Sequence, residues 1–142
     1  MKLVFLGSGA FGLPTLRALA RAHDIALVVT QPDRPAGRKR VPTATPIGAF
    51  AAECNLETIK PERINEPDVV AHVRGAGADA WVVIAYGQKL GATLLDGVFA
   101  INLHASLLPK YRGAAPINHA IIEGETHTGV SVITLADRMD AG

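Results

Sequence analysis

Two polar residues in an otherwise apolar run, Asn102 and His104 in Ile101-Asn102-Leu103-His104, have types and a spacing that suit carbonyl chemistry. Side chains alternate along an extended strand, so both point to one side. An amide donor beside an imidazole can hold the oxyanion formed when a nucleophile adds to a carbonyl, and the imidazole can relay a proton. Asp140, in Arg138-Met139-Asp140-Ala141-Gly142, is placed to bring a carboxylate to His104 as the preceding strand ends. Ser106 lacks the glycine-flanked elbow of a hydrolase nucleophile, so acyl-enzyme chemistry is the weaker reading. The residues alone leave a plainer reading open, in which a polar strand end is only a satisfied core edge.

Two further segments have chemical potential. Gly7-Ser8-Gly9-Ala10-Phe11-Gly12 matches G-x-G-x-x-G between a strand and a helix, the setting in which such a loop cradles a pyrophosphate. That is the basis for an alternative reading as an NADP-dependent oxidoreductase. The second strand, however, ends Val28-Val29-Thr30-Gln31, and the acidic Asp33 lies beyond Pro32, so the ribose anchor is not in register. Glycine also suits any tight strand-to-helix turn, and a packing turn is the preferred reading. The stretch Gln31 to Ala44 carries three prolines and four basic residues, Arg34, Arg38, Lys39 and Arg40, without apolar periodicity. It reads as a long loop, either merely solvated or attractive to phosphate.

Positioning these residues requires strands that end together. Leu3 to Leu6, Ile25 to Thr30, Leu56 to Ile59, Ala80 to Ala85, Val98 to Leu103 and Gly129 to Leu135 read as strands, with Ala80 to Ala85 buried on both faces. Between them, Leu13, Leu16, Leu19 and Ala20 mark one helical face. Thr45-Pro46 caps a helix over Ile47 to Cys54, Asn65 caps one over Glu66 to Arg74, and Pro116 to Glu123 forms another. The alternation predicts an α/β fold with a Rossmann-like, open and mostly parallel sheet and helices on both faces. Trp81 and Phe99 are expected to pack the sheet and Cys54 to pack a helix.

The composition narrows the class. With 142 residues, 49% hydrophobic and 19% charged, the chain reads as one packed domain without internal repeats. A formal net charge of +1 gives no whole-chain attraction to nucleic acid or membrane. The single cysteine excludes an internal disulfide, and His23, His72, His119 and His127 lack metal-ligand spacing, so no metal is expected. No apolar run approaches the length of a membrane helix, and the N-terminal run is a strand rather than a secretory leader, so a cytoplasmic location is expected.

Asn102-Leu103-His104-Ala105-Ser106-Leu107-Leu108-Pro109, then Tyr111-Arg112-Gly113, then Met139-Asp140-Ala141-Gly142, resemble in order and interval the signature of the folate-dependent formyltransferases. The whole chain is similar to the N-terminal catalytic domain of the tRNA-specific members of that family. The resemblance implies formyl transfer from 10-formyltetrahydrofolate to the α-amine of methionine on charged initiator tRNA, without a covalent enzyme intermediate. Asn102, His104 and Asp140 match the catalytic three. Ile84, Ala85, Tyr86, Gly87 and Gln88 would line the folate pocket, their backbone meeting the pterin edge, with Ser106, Leu107, Leu108 and Pro109 as further cofactor contacts in a rim that runs from Ser106 to Gly113. Arg34, Arg38, Lys39 and Arg40 match the loop that approaches the acceptor arm of tRNA. Arg112 would touch an anionic ligand, or form a salt bridge and cap the next helix.

Related acceptors, a purine-pathway amine or an amino sugar, would use the same three residues. The resemblance also implies that the chain, ending at Gly142, is a truncated domain lacking the family's C-terminal β-barrel and weakly active alone. A non-catalytic folate-binding fragment is a further alternative, and a monomer is expected.

Overall fold

The computed structural model describes residues 1–135. Its elements run β1 Lys2–Gly7, α1 Leu13–Ala22, β2 Asp24–Val29, β3 Arg34–Ala36, β4 Val41–Thr43, α2 Pro46–Glu53, β5 Thr58–Ile59, α3 Pro67–Gly75, β6 Ala80–Ile84, α4 Ala92–Leu95, β7 Ala100–His104, α5 Pro116–Ile122 and β8 Ser131–Thr134. Six strands form one sheet in the order β5-β2-β1-β6-β7-β8. All its pairs are parallel except β7 with β8. The chain thus winds outward from β1 in both directions, which opens a crevice at the carboxyl ends of the central strands.

The sheet is buried on both faces because its strands carry two apolar sets of opposite parity. Val4, Leu6, Trp81 and Val83 face one way and pack with Val70 and Val73 of α3 and Leu94 of α4. Leu3, Phe5, Val82 and Ile84 face the other way, against Leu16 of α1 and Ile47 and Ala51 of α2. Strand β2 keeps both sets supplied through a bulge. Leu3 pairs with Ile25 but Val4 with Leu27, so Ala26 is the extra residue and Ile25 and Val28 share a face.

Local sequence explains the helix starts. Pro14, Pro46, Pro67 and Pro116 occupy first-turn positions, where the missing N–H costs nothing. The Thr45 hydroxyl accepts from the Gly48 N–H at 2.9 Å, as its N-cap role requires. Asn65 does not cap α3. Its side chain accepts from the Gly91 N–H at 2.7 Å and donates to the Lys89 carbonyl at 2.9 Å, fastening another loop instead.

Three more expectations are corrected. The stretch from Gln31 contains an antiparallel hairpin, with Arg34 opposite Thr43 and Ala36 opposite Val41. Cys54 is exposed at the end of α2. Phe99 is 59% exposed, because it lies just ahead of β7 and contributes its carbonyl, which accepts from the Trp81 N–H. Trp81 itself is buried. Among the described residues no helix is long and apolar enough to cross a membrane.

Candidate active site

A cleft of about 430 Å³ opens over the carboxyl ends of β6 and β7. Asn102 and His104 both line it, as the period of a strand dictates. Asn102 lies in register with Val83 of β6 on one side and Ile133 of β8 on the other. His104 is 6% exposed, and its Nε2 lies 2.8 Å from the Tyr111 carbonyl. A carbonyl only accepts, so Nε2 carries a hydrogen directed at Tyr111.

The far wall comes from the turn after β6 and from the start of α5. Of the five residues from 84 to 88, Ala85, Tyr86, Gly87 and Gln88 line the cleft and Ile84 does not. Strand parity is the reason, since Val83 and Ala85 share a side while Ile84 packs into the core beside α1 and α2. Ala85 at φ 48° and Gly87 at φ +96° bend this turn sharply away from the sheet. The Tyr86 carbonyl accepts from Ser8 Oγ at 2.9 Å and from Gln31 Nε2 at 3.2 Å, which engages both of its lone pairs within the protein. The Gln88 side chain is also engaged, accepting from the Ile64 N–H and donating to the Pro61 carbonyl. The Tyr86 ring is 2% exposed, its hydroxyl has no hydrogen-bond partner among the described residues, and burial pushes its pKa up to about 12.

Ser106, Leu107, Leu108 and Pro109 do not line the cleft. The Ser106 hydroxyl is wholly buried and donates to the Lys110 carbonyl at 2.6 Å, while its own carbonyl accepts from Ser131 Oγ at 2.8 Å. Ser131 Oγ also accepts from the Leu108 N–H. This segment therefore ties the end of β7 to β8. Val83, Leu103 and Ala105 line it as well, and sequence reading missed Phe11, Lys89 and the run Ala114 to Asn118. A signal existed for the last of these. Gly113-Ala114-Ala115-Pro116 is a run of small residues leading from the strand end to a proline-started helix, which leaves open space and puts Asn118 in the first turn facing it.

Asp140 lies outside the described residues. The strand before it does not deliver its end to the cleft. β8 runs antiparallel to β7, so Ser131 pairs with His104 and Thr134 with Ile101, at the opposite end of the pair.

The glycine loop is built for packing. A Cβ on Gly7 would lie 2.7 Å from the Phe5 ring and 2.9 Å from the Ile84 carbonyl, whereas one on Gly9 would meet Ala85 at an ordinary 3.8 Å. Of the basic residues, Arg34 pairs with Glu62 at 2.8 Å, and Lys60 with Asp33 at 2.6 Å, together pinning the base of the hairpin. Arg38, Lys39 and Arg40 form its exposed tip and have no ion-pair partner among the described residues. Arg112 is likewise exposed, without an ion pair to a described residue. The described residues hold no cluster of three or more side chains suited to a metal ion.

The open α/β sheet thus brings an amide and a buried imidazole together in one cleft at its strand ends. The chain belongs to the formyl transferase family, whose model matches residues 1–142. It is 48% identical over 145 residues to a methionyl-tRNA formyltransferase of Solibacter usitatus, covering all of this chain and 47% of that protein. It is 46% identical over 144 residues to one of Enterococcus faecalis, covering 99% of this chain and 46% of that protein. The chain thus spans about half the length of the curated relatives it matches. Among solved structures, a phosphoribosylglycinamide formyltransferase from Bacillus halodurans superposes with a TM-score of 0.77 at 21% identity, over 100% of this chain and 75% of that one. That likeness shows the fold.

Proposed function

We propose that residues 1–142 form the folate-binding, catalytic part of an enzyme that transfers a formyl group from 10-formyltetrahydrofolate to the α-amine of methionine on charged initiator tRNA. The observation that carries this reading is the pair Asn102 and His104 on one side of β7, lining a cleft large enough for a fused ring system. The acceptor amine attacks the formyl carbon, a C–N bond forms, and the carbonyl electron pair moves to oxygen. The Asn102 amide donates to that oxyanion. A relay that includes His104 takes up the amine proton and later returns it to the departing folate nitrogen. Collapse breaks the bond between the formyl carbon and the folate nitrogen, which takes up a proton. Asp140, by its match to the family signature, would support the imidazole.

Two observations favour tRNA over a purine-pathway or sugar amine as acceptor. Identity is 43–48% to relatives named methionyl-tRNA formyltransferase. The hairpin tip also presents three adjacent cations, suited to a phosphate backbone.

The test is formyl transfer to methionyl-initiator tRNA, read by mass spectrometry of the released amino acid. The chain should be assayed alone and fused to the remaining half of a similar relative. Formyl-methionine is expected, with a loss of about 10²- to 10³-fold in Asn102→Ala. Bound folate without transfer in either form would redirect the reading to another amine or to a non-catalytic folate-binding part.

A further inference from the structure

We propose that Glu125 is a positioning residue for His104, acting through the turn at Lys110 and Tyr111. The inference rests on the catalytic reading of His104 given above. Two consecutive carbonyls of that turn face the end of β7. The Lys110 carbonyl accepts from Ser106 Oγ at 2.6 Å, and the Tyr111 carbonyl accepts from His104 Nε2 at 2.8 Å. The side chains of the same two residues turn the other way and converge on one carboxylate. Lys110 Nζ lies 2.5 Å and the Tyr111 hydroxyl 2.7 Å from Glu125 Oε1. One acid therefore grips the outside of a turn whose inside holds two buried side chains.

The turn needs such a grip. Tyr111 sits at φ 54°, a left-handed conformation that is unfavourable for a side chain of its bulk. Its ring stacks on His119 with centroids 6.2 Å apart and planes 7° from parallel. Glu125 is itself anchored, because its N–H donates to the Ala120 carbonyl at 2.9 Å just beyond α5. Its side chain is 27% exposed against 64% for Lys110. Hydrogen bonding to Lys110 and Tyr111 holds the Glu125 carboxyl below its ordinary range, and the Glu125 bond pushes the Tyr111 phenol up to about 12, both as expected of a charged acceptor with two donors. With the grip in place the Tyr111 carbonyl stays where it accepts from His104 Nε2. Without it that carbonyl drifts and its bond to Nε2 weakens.

The test uses ¹⁵N-histidine-labelled protein without substrate, the His104 ring signals being assigned by their loss in His104→Gln. The parent should show a ring protonated on Nε2. Glu125→Gln should shift the Nε2 signal as its bond to the Tyr111 carbonyl weakens, Tyr111→Phe should shift it less, and Glu125→Asp should largely restore the parent pattern. Where formyl transfer is measurable, Glu125→Gln should lower kcat about tenfold with KM unchanged. His104 shifts unaltered in both Glu125→Gln and Tyr111→Phe overturn the proposal. Tyr111→Phe deletes one hydroxyl only and decides the matter if Glu125→Gln does not fold. Because the ring signals need no turnover, a parent that binds folate but transfers nothing would count against the proposed function and not against this one.

Discussion

The side-chain amide of Gln31 donates to the carbonyl of Tyr86 at 3.2 Å, so the residue just past β2 reaches across β1 to hold the turn leaving β6. Ser8, at the end of β1, completes the tie by donating to the same carbonyl. The wall of the cleft is thus set by the two strands beside it rather than by the turn's own sequence.

Gln31→Ala removes that reach and also the acceptor facing Gln88 Nε2. Stability should fall by about 1 kcal/mol, the net worth of a part-buried hydrogen bond. In transfer assays KM for the folate should rise with kcat little changed, because the wall moves while Asn102 and His104 do not. An unchanged KM would mean that the 85–88 turn does not shape the folate site.

Tyr86→Phe should stabilise the protein by about 1 kcal/mol near neutral pH, since it deletes a buried hydroxyl without a described partner. The two proteins should diverge further in alkali. Folding raises the Tyr86 pKa from 10.0 to about 12, so above pH 10 the unfolded chain binds fewer protons than the folded one. The parent therefore loses stability as pH rises from 10 through 12, and the Phe variant lacks that component of the slope. Urea melts of both proteins at pH 8 and pH 11 check it, and parallel curves would refute it.

Gly7→Ala and Gly9→Ala separate packing from ligand cradling. The first forces a Cβ against buried backbone and should cost about 2–3 kcal/mol. The second meets only ordinary contact and should cost less than about 1 kcal/mol. Equal stability with equal loss of nicotinamide nucleotide binding would instead revive the dinucleotide reading.

Replacing Arg38, Lys39 and Arg40 together by alanine should leave the unfolding midpoint unchanged, because all three are exposed. KM for charged tRNA should rise at low salt, and the difference from the parent should shrink as salt is added. A salt-independent difference would remove the phosphate-contact assignment.

The sheet was legible because its strands are written in buried β-branched and aliphatic residues, as in Trp81-Val82-Val83-Ile84, bounded by polar turns. So were Asn102 and His104, since strand parity alone puts them together. The same parity, applied one strand earlier, would have separated Ile84 from Val83 and Ala85. The β3–β4 hairpin was not legible. Its pairing sets Pro35 opposite Pro42, without an alternating apolar face, and it is pinned by ion pairs to Glu62 and Lys60 that no local pattern announces. Asn65 illustrates the same limit, because a good capping residue was recruited by a loop 26 positions away. The supporting role of Ser106 depends on Ser131, which only the antiparallel return of β8 brings beside it.

The hairpin contributes no buried residue to either apolar cluster. Its length, charge and tip sequence are consequently almost free of folding constraint, while the sheet beneath it is densely constrained. Substitutions in the ribbon can accumulate there without passing through unstable intermediates, so its charge and length can drift while the packed sheet stays fixed.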